Sequence, residues 1–117
     1  MLKNVRHIHF IGIGGIGMSS IAAILLDRNF SISGSDIKPN RLTQELVRKG
    51  ARIFFGHSRS NLLKETALVV YSTSIDEKNP EIMEARQRGI PIVHRSDIVA
   101  VLVNPNAGIA VTGAHGK

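Results

Sequence analysis

The sequence predicts an α/β fold, a Rossmann-like doubly wound parallel sheet of about five strands with helices on both faces. Short apolar runs alternate with longer amphipathic runs along the 117 residues, which is the pattern of βα units joined by right-handed crossovers. The run Leu68-Val69-Val70-Tyr71 is apolar at every position. A central parallel strand has this character because helices cover both of its faces.

Apolar spacing and helix-end residues define the elements of the first half of the chain. In the first helix, Ile21, Ile24 and Leu25 recur at helical spacing and form one apolar face. Leu42, Leu46 and Val47 form the apolar stripe of the second helix, and we expect Met83 in the core. Asn40 is a favourable N-cap for the second helix, and Gly50 suits its C′ position. We expect strands over 7–11, 30–35 and 52–55, and helices over 16–28 and 40–49.

Proline and glycine define the elements of the second half. Asn79-Pro80-Glu81 combines a cap, a proline at N1 and a first-turn acid, and Gly89 ends the same helix. We expect strands over 68–71, 90–94 and 108–112, and helices over 80–88 and 96–103. Asn104-Pro105-Asn106 is the best linker candidate, so we expect a first domain over 1–104 and a linker with the start of a second domain over 105–117.

Composition and charge limit the possible partners. A net charge of +6 would suit nucleic acid, but basic and acidic residues are interleaved and aromatics make up only 4%, too few for a base-stacking surface. The chain has no cysteine, which fits the cytoplasm and leaves no thiolate metal ligand. No apolar run reaches the ~18 residues of a membrane span. We expect neither a nucleic-acid partner nor membrane insertion.

A glycine-rich loop joins the first strand to the first helix. Gly12-Ile13-Gly14-Gly15-Ile16-Gly17 satisfies G-x-G-x-x-G, in which the glycines permit a tight turn, approach of a diphosphate and close helix packing. The helix N-terminus attracts the anion. Asp36 closes the second strand, where an acid normally meets ribose hydroxyls. The motif predicts a nucleotide site but does not choose among NAD, FAD and UDP-sugars.

Polar side chains follow three other strands at the same edge of the expected sheet. His57 follows the third strand, Ser72 begins a hydroxyl cluster after the fourth, and Arg95 follows the fifth. Each suits a ligand at the carboxyl ends of the strands, and each is also typical of an ordinary loop residue. His7 and His9 lie on the first strand, and we interpret them as structural. No metal-ligand spacing and no nucleophile–base pair stand out.

The segment Thr112-Gly113-Ala114-His115-Gly116-Lys117 has the features of a second phosphate-binding loop. It follows a β-rich run, its amides would cradle phosphate, and its lysine would reach the terminal phosphates. Val111 stands where the general G-x-x-x-x-G-K pattern has its first glycine. The loop therefore fits only a shorter form of that pattern.

These motifs together resemble the Mur ligase family, the ATP-dependent ligases of bacterial peptidoglycan synthesis. The glycine run and its flanks are specific for the branch that adds L-alanine to UDP-N-acetylmuramate. Ala114 departs from the usual threonine at a position where the backbone dominates. The matching segments are 9–19, Gly34-Ser35-Asp36, Gly56-His57, 69–74, Asn79-Pro80-Glu81, Gly89-Ile90-Pro91, His94-Arg95 and 112–117.

The resemblance implies a three-domain enzyme that uses ATP and Mg²⁺ to form an acyl phosphate on UDP-N-acetylmuramate, which the L-alanine amine then attacks. The first domain would bind the UDP part, with the diphosphate on the glycine loop, ribose near Asp36 and uracil near His57. The implied UDP-substrate residues are Gly12, Gly14, Gly15, Ile16, Gly17, Asp36, His57, Ser72 and Arg95. The implied ATP-loop residues are Gly113, Ala114, His115, Gly116 and Lys117.

By the same resemblance, we expect this chain to be the first domain and the start of the second. It would then bind the UDP-substrate without ligase activity. Two other interpretations remain open on the residues alone. One is an NAD(P)-binding oxidoreductase domain built on the same loop and acid. The other is a stand-alone nucleotide-sensing module.

Overall fold

Five parallel strands form a single sheet. The structure, a computed structural model, describes residue 2 and residues 4–103. The expected linker at 104–106, strand at 108–112 and phosphate loop at 113–117 lie outside the described residues. The strands are β1 (His7–Ile11), β2 (Ser31–Asp36), β3 (Arg52–Phe55), β4 (Leu68–Tyr71) and β5 (Ile92–His94). Their order is β3-β2-β1-β4-β5 and every pairing is parallel, which confirms the doubly wound α/β fold.

Helices cover both faces of this sheet. They are α1 (Ile16–Asp27), α2 (Arg41–Arg48), α3 (Pro80–Arg88) and α4 (Arg95–Val103). The main apolar core joins the sheet to α1, α2 and α4, and a smaller cluster lies under α3 on the opposite face. The β3–β4 connection contains a short 3₁₀ turn at Arg59–Asn61, which the sequence analysis did not predict.

The helix ends follow from local chemistry. The Asn40 side chain accepts from the Thr43 amide at 2.8 Å, and the Thr43 hydroxyl accepts from the Asn40 amide at 2.9 Å, which forms a capping box. Asn79 caps α3 by accepting from the Glu81 amide at 2.8 Å. Gly89 closes α3 in the left-handed conformation, with φ +71°. The sequence prediction of both caps and of this helix end is confirmed.

Three apolar residues are more exposed than the sequence predicts. Ile24 and Val47, expected on the buried faces of α1 and α2, are 41% and 52% exposed, and Met83 of α3, expected in the core, is 43% exposed. Each helix packs on the sheet through a narrower stripe, such as Ile21, Leu25 and Leu46. Strand β5 also begins later than expected, because the Ile90 amide donates to the Ala85 carbonyl at the end of α3.

The two faces of β1 differ in polarity. Ile8 and Phe10 belong to the main core, and since strand side chains alternate, His7 and His9 point to the other face. Parallel register places His7 beside Ser31 and His9 beside Ser33. All of these side chains except Ser31 are buried. The sheet therefore has a buried polar strip on the side of α3.

The connections leave β1 and β4 in opposite directions across the sheet. The chain passes from β1 to β2 on one side, whereas β4 leads to β5 on the other. A topological switch point therefore lies between β1 and β4. In open α/β sheets, ligands bind outside the carboxyl ends of the strands at this point.

Candidate functional site

A cleft of about 740 Å³ opens at the carboxyl edge of the sheet, at the switch point. It brings together eight of the nine residues that the sequence predicted for the UDP-substrate: Gly12, Gly14, Gly15, Gly17, Asp36, His57, Ser72 and Arg95. Ile16 does not line the cleft and its side chain is 80% exposed. The chain segments that form this site come from the ends of all five strands.

The glycine loop is tied to β2. The amides of Gly12 and Ile13 both donate to the Ser35 carbonyl, at 2.8 and 3.0 Å. Gly12 has φ +85°, a conformation that glycine adopts without the steric cost of a Cβ. This turn directs the chain from the end of β1 across the edge of the sheet and into α1.

The N-terminus of α1 is open to the cleft. Its N-cap is Gly15, which has no side chain to cap the helix, and its first turn contains no acidic residue. Helix geometry leaves the first amides without intrahelical acceptors, and within the described residues the amides of Ile16, Gly17 and Met18 have no other partner. These free donors and the positive end of the helix dipole suit a bound anion.

Arg95, the first residue of α4, lies beside this helix end. A Cβ built on Gly17 would lie 3.3 Å from Arg95 Nη1. The last glycine of the motif is expected to permit close helix packing, and in the structure its missing side chain also leaves room for this guanidinium. Arg95 makes no ion pair with any described residue. Two positive groups, a helix N-terminus and a guanidinium, therefore face the same part of the cleft.

Asp36 shapes the glycine loop. Its Oδ2 accepts from the Gly14 amide at 2.7 Å and its Oδ1 accepts from the Ile37 amide at 2.7 Å. A Cβ on Gly14 would lie 2.7 Å from Oδ2. Any larger residue at this position would clash with the carboxylate, so the close approach of the loop requires glycine. Each carboxylate oxygen accepts more than one hydrogen bond, which leaves Asp36 able to meet a ligand hydroxyl while it holds the loop.

His57 is anchored from inside the protein. Its side chain lines the cleft and is 20% exposed. Its Nδ1 lies 2.9 Å from Ser35 Oγ and 3.4 Å from Glu81 Oε2. The Nε2 atom has no hydrogen bond within the described part of the chain. One nitrogen of the ring is therefore fixed by buried groups, and the other remains available to the cleft.

The remaining wall of the cleft comes from loops after β2 and β4. Ser72 Oγ lies 3.0 Å from Ser74 Oγ. Ser74 belongs to the hydroxyl cluster that the sequence placed at this edge, and it also lines the cleft. Six further side chains line the cleft but were not predicted as site residues: Met18, Ile37, Asn40, Ile75, Asp76 and Asn79. Asn40 and Asn79 were identified only as helix caps. Because those helices begin at the carboxyl edge, their caps border the ligand cleft as well, and this is the signal that would have found them.

The described residues do not supply a metal site. Within residue 2 and residues 4–103, no group of three or more His, Asp or Glu side chains is arranged to hold an ion. The described residues therefore offer no ready-made set of ligands for the Mg²⁺ that the family resemblance implies. No helix in the same part of the chain is long and apolar enough to cross a membrane.

The fold and the cleft define an α/β domain with a glycine loop and an open helix N-terminus at the switch point of a parallel sheet. The profile of the Mur ligase family, catalytic domain, matches residues 7–107. The chain belongs to the Mur ligase family.

The chain is similar to several individual members of that family. It is 51% identical over its whole length to the UDP-N-acetylmuramate–L-alanine ligase of Solibacter usitatus, of which it covers 25%. Its fold matches the UDP-N-acetylmuramate–alanine ligase MurC of Thermotoga maritima, with a TM-score of 0.80, 34% identity, and coverage of 85% of this chain and 23% of that one. The murein peptide ligase of Psychrobacter arcticus matches with a TM-score of 0.74, 25% identity and coverage of 81% and 20%. The chain thus spans about a quarter of the length of these relatives.

Proposed function

We propose that this chain is the UDP-substrate-binding part of an ATP-dependent ligase that joins L-alanine to UDP-N-acetylmuramate in the peptidoglycan synthesis of a bacterial cytoplasm. The relative with 51% identity carries this activity in its name, and the resemblance of the glycine run favours the same branch. The domain boundary near residue 104 and the role of Gly113 to Lys117 in binding ATP are part of this proposal. So is the expectation that the chain binds without catalysing.

One observation supports the binding role most strongly. The uncapped N-terminus of α1 and the Arg95 guanidinium face one cleft at the switch point. A diphosphate placed there would meet free amides, the helix dipole and a fork of N–H donors. In the proposed complex, the diphosphate lies against Gly14 to Gly17, the ribose on the side of Asp36 and the uracil on the side of His57.

The chemistry of the full reaction would then divide between parts of the enzyme. ATP would transfer its γ-phosphate to the lactyl carboxylate, which gives an acyl phosphate and ADP, and the amine of alanine would then form the amide and release phosphate. Mg²⁺ would supply stabilisation of the phosphate charges. The residues described here would bind and orient the UDP end. Holding that end fixed limits where the distant carboxylate can move, which is a contribution of positioning and not of proton transfer.

Calorimetric titration tests the proposal against its main rival. The chain should release saturable heat with UDP-N-acetylmuramate and with UDP, and none with NADH. The same measurement with uridine, which lacks the diphosphate, should give much weaker binding. Saturable binding of NADH without binding of UDP would favour the oxidoreductase interpretation and contradict the proposal.

A further inference from the structure

A fully buried carboxylate lies behind the cleft and does not line it. Glu81, in the first turn of α3, is 0% exposed. Its Oε1 accepts from His9 Nε2 at 2.6 Å and from Ser35 Oγ at 2.7 Å. Its Oε2 accepts from Asn61 Nδ2 at 2.8 Å and from the Ser58 amide at 3.1 Å. Burial raises the pKa of this carboxyl, but hydrogen bonds from His9, Ser35 and Asn61 and the charge interaction with His9 lower it to about 2.

An ionised carboxylate accepts hydrogen bonds and donates none, and this fixes the direction of the neighbouring bonds. Ser35 has one hydroxyl hydrogen, which it gives to Glu81. Its oxygen lies 2.9 Å from His57 Nδ1, so it accepts there, and His57 carries a proton on Nδ1. In the neutral ring, Nε2 is then a hydrogen-bond acceptor.

The same constraint extends in the other direction along the sheet. His9 donates from Nε2 to Glu81, so its neutral form accepts at Nδ1 from Ser33 Oγ, at 2.7 Å. Ser33 then accepts from His7 Nε2 at 2.8 Å, and His7 Nδ1 accepts from Ser31 Oγ at 2.7 Å. Burial, the largest cause, lowers the pKa of His7, which favours this neutral state. With both of these histidines neutral, the hydrogen bonds from Ser31 to His9 all point toward Glu81. Those from His57 through Ser35 point toward Glu81 from the side of the cleft.

We propose that Glu81 is a positioning residue that sets the tautomer of His57, so that this ring presents an acceptor and selects a ligand with a matching N–H donor. The identity of this donor rests on the proposed function, in which it is the N3–H of uracil. Cytosine carries a lone pair at N3 and would oppose the lone pair of Nε2. Glu81 thereby contributes to base specificity without touching the ligand.

The variant Glu81→Gln should reverse the direction of the hydrogen bonds that join this position to Ser35 and His57. The Ser58 amide is a backbone donor, and Asn61 Nδ2 also donates to the Gly56 carbonyl at 2.8 Å, so both keep donating toward the Oε2 position. The glutamine oxygen takes that position and its NH₂ group faces His9 and Ser35. Ser35 then accepts from the glutamine and donates to His57 Nδ1. The proton of His57 moves to Nε2, which becomes a donor.

The ring ¹⁵N chemical shifts of His57 in the ligand-free chain test this directly, in mildly alkaline buffer where imidazole is neutral. The unmodified chain should show a protonated Nδ1 and an unprotonated Nε2, and Glu81→Gln should show the opposite. Ser33→Ala is the matched control, because it removes another buried serine of the same chain but leaves the bonds from Glu81 to His57 intact. It should keep the tautomer of the unmodified protein.

A protonated Nε2 in the unmodified chain would overturn the proposal without any variant, and so would an unchanged tautomer in a folded Glu81→Gln. Calorimetry then tests specificity. The unmodified chain should prefer UDP over CDP by about tenfold or more, since an unpaired polar group at the base is costly, and Glu81→Gln should lose that preference. Absence of UDP binding would contradict the proposed function, whereas the tautomer result stands independently of any ligand.

Discussion

The carboxylate of Glu81 remains ionised at a position that solvent does not reach. Its pKa is about 2 in the folded chain, below the ordinary value of 4.5. Between these two values the unfolded chain binds more protons than the folded one. Stability contributed by Glu81 is therefore fully present above pH 4.5 and is lost as the pH falls toward 2.

Glu81→Gln should remove this acid sensitivity. In urea unfolding at a series of pH values, the unfolding free energy of the unmodified chain should fall by on the order of 2–3 kcal/mol between pH 4.5 and 2. The variant should be less stable at neutral pH, and its unfolding free energy should change much less between pH 4.5 and 2. Equal slopes below pH 4.5 in both proteins would contradict the account.

Asp36 has two tasks in the proposed complex, to hold the Gly14 amide and to meet the ribose. Asp36→Ala should therefore weaken UDP binding more than His57→Ala, by about tenfold or more against the unmodified chain, since hydrogen bonds to a charged group are worth ~1.5–3 kcal/mol. Asp27→Ala is the matched control, because it removes an exposed carboxylate at the far end of α1. Calorimetry measures all three, and equal affinities for the Asp36 and His57 variants would refute the prediction.

At the scale of elements, the start of α2 joins helix stability to the cleft. Asn40 caps the helix through its oxygen, while its Nδ2 donates to the Gly14 carbonyl at 3.2 Å. Asn40→Ala should lower the unfolding free energy by about 1 kcal/mol. Asn40→Ser should recover most of that loss, because a serine hydroxyl also caps. If urea unfolding shows equal losses in the two variants, the cap is not the cause.

Helix ends were predictable because their signals are local. A cap, a proline or a glycine acts within one turn, and so Asn40, Asn79 and Gly89 end or begin helices where expected. The width of each buried face was less predictable. Whether Val47 or Met83 meets the sheet depends on how the whole helix is rotated against it, and periodicity alone gives no fixed limit to the apolar stripe.

At the scale of the molecule, the candidate cleft was largely predictable and the network behind it was not. Parallel strands bring their carboxyl ends to one edge, so residues that follow strands, such as His57 and Arg95, were expected to meet. Glu81 was expected only as a first-turn acid of a helix. Its contacts with His9, Ser35 and Asn61 join positions that are far apart in the sequence, and no local spacing indicates them.

The positive charge around the cleft should make the affinity for UDP depend on salt. Arg95→Gln should weaken UDP binding by about tenfold and make the remaining affinity less sensitive to salt, because a charged contact with the diphosphate is lost. Arg28→Gln removes the same charge at the opposite, exposed end of α1 and should leave both properties nearly unchanged. Identical salt dependence in the two variants would exclude a direct role for Arg95.

The central claim is that the open N-terminus of α1 binds the diphosphate of UDP. An NMR titration of the ¹⁵N-labelled chain with UDP tests it most directly. The account predicts saturable shifts at the amides of Ile16, Gly17 and Met18, together with shifts at His57, and only weak changes at the helix end with uridine. Unchanged amides at these three residues at saturating UDP, or shifts confined to another part of the sheet, would contradict it.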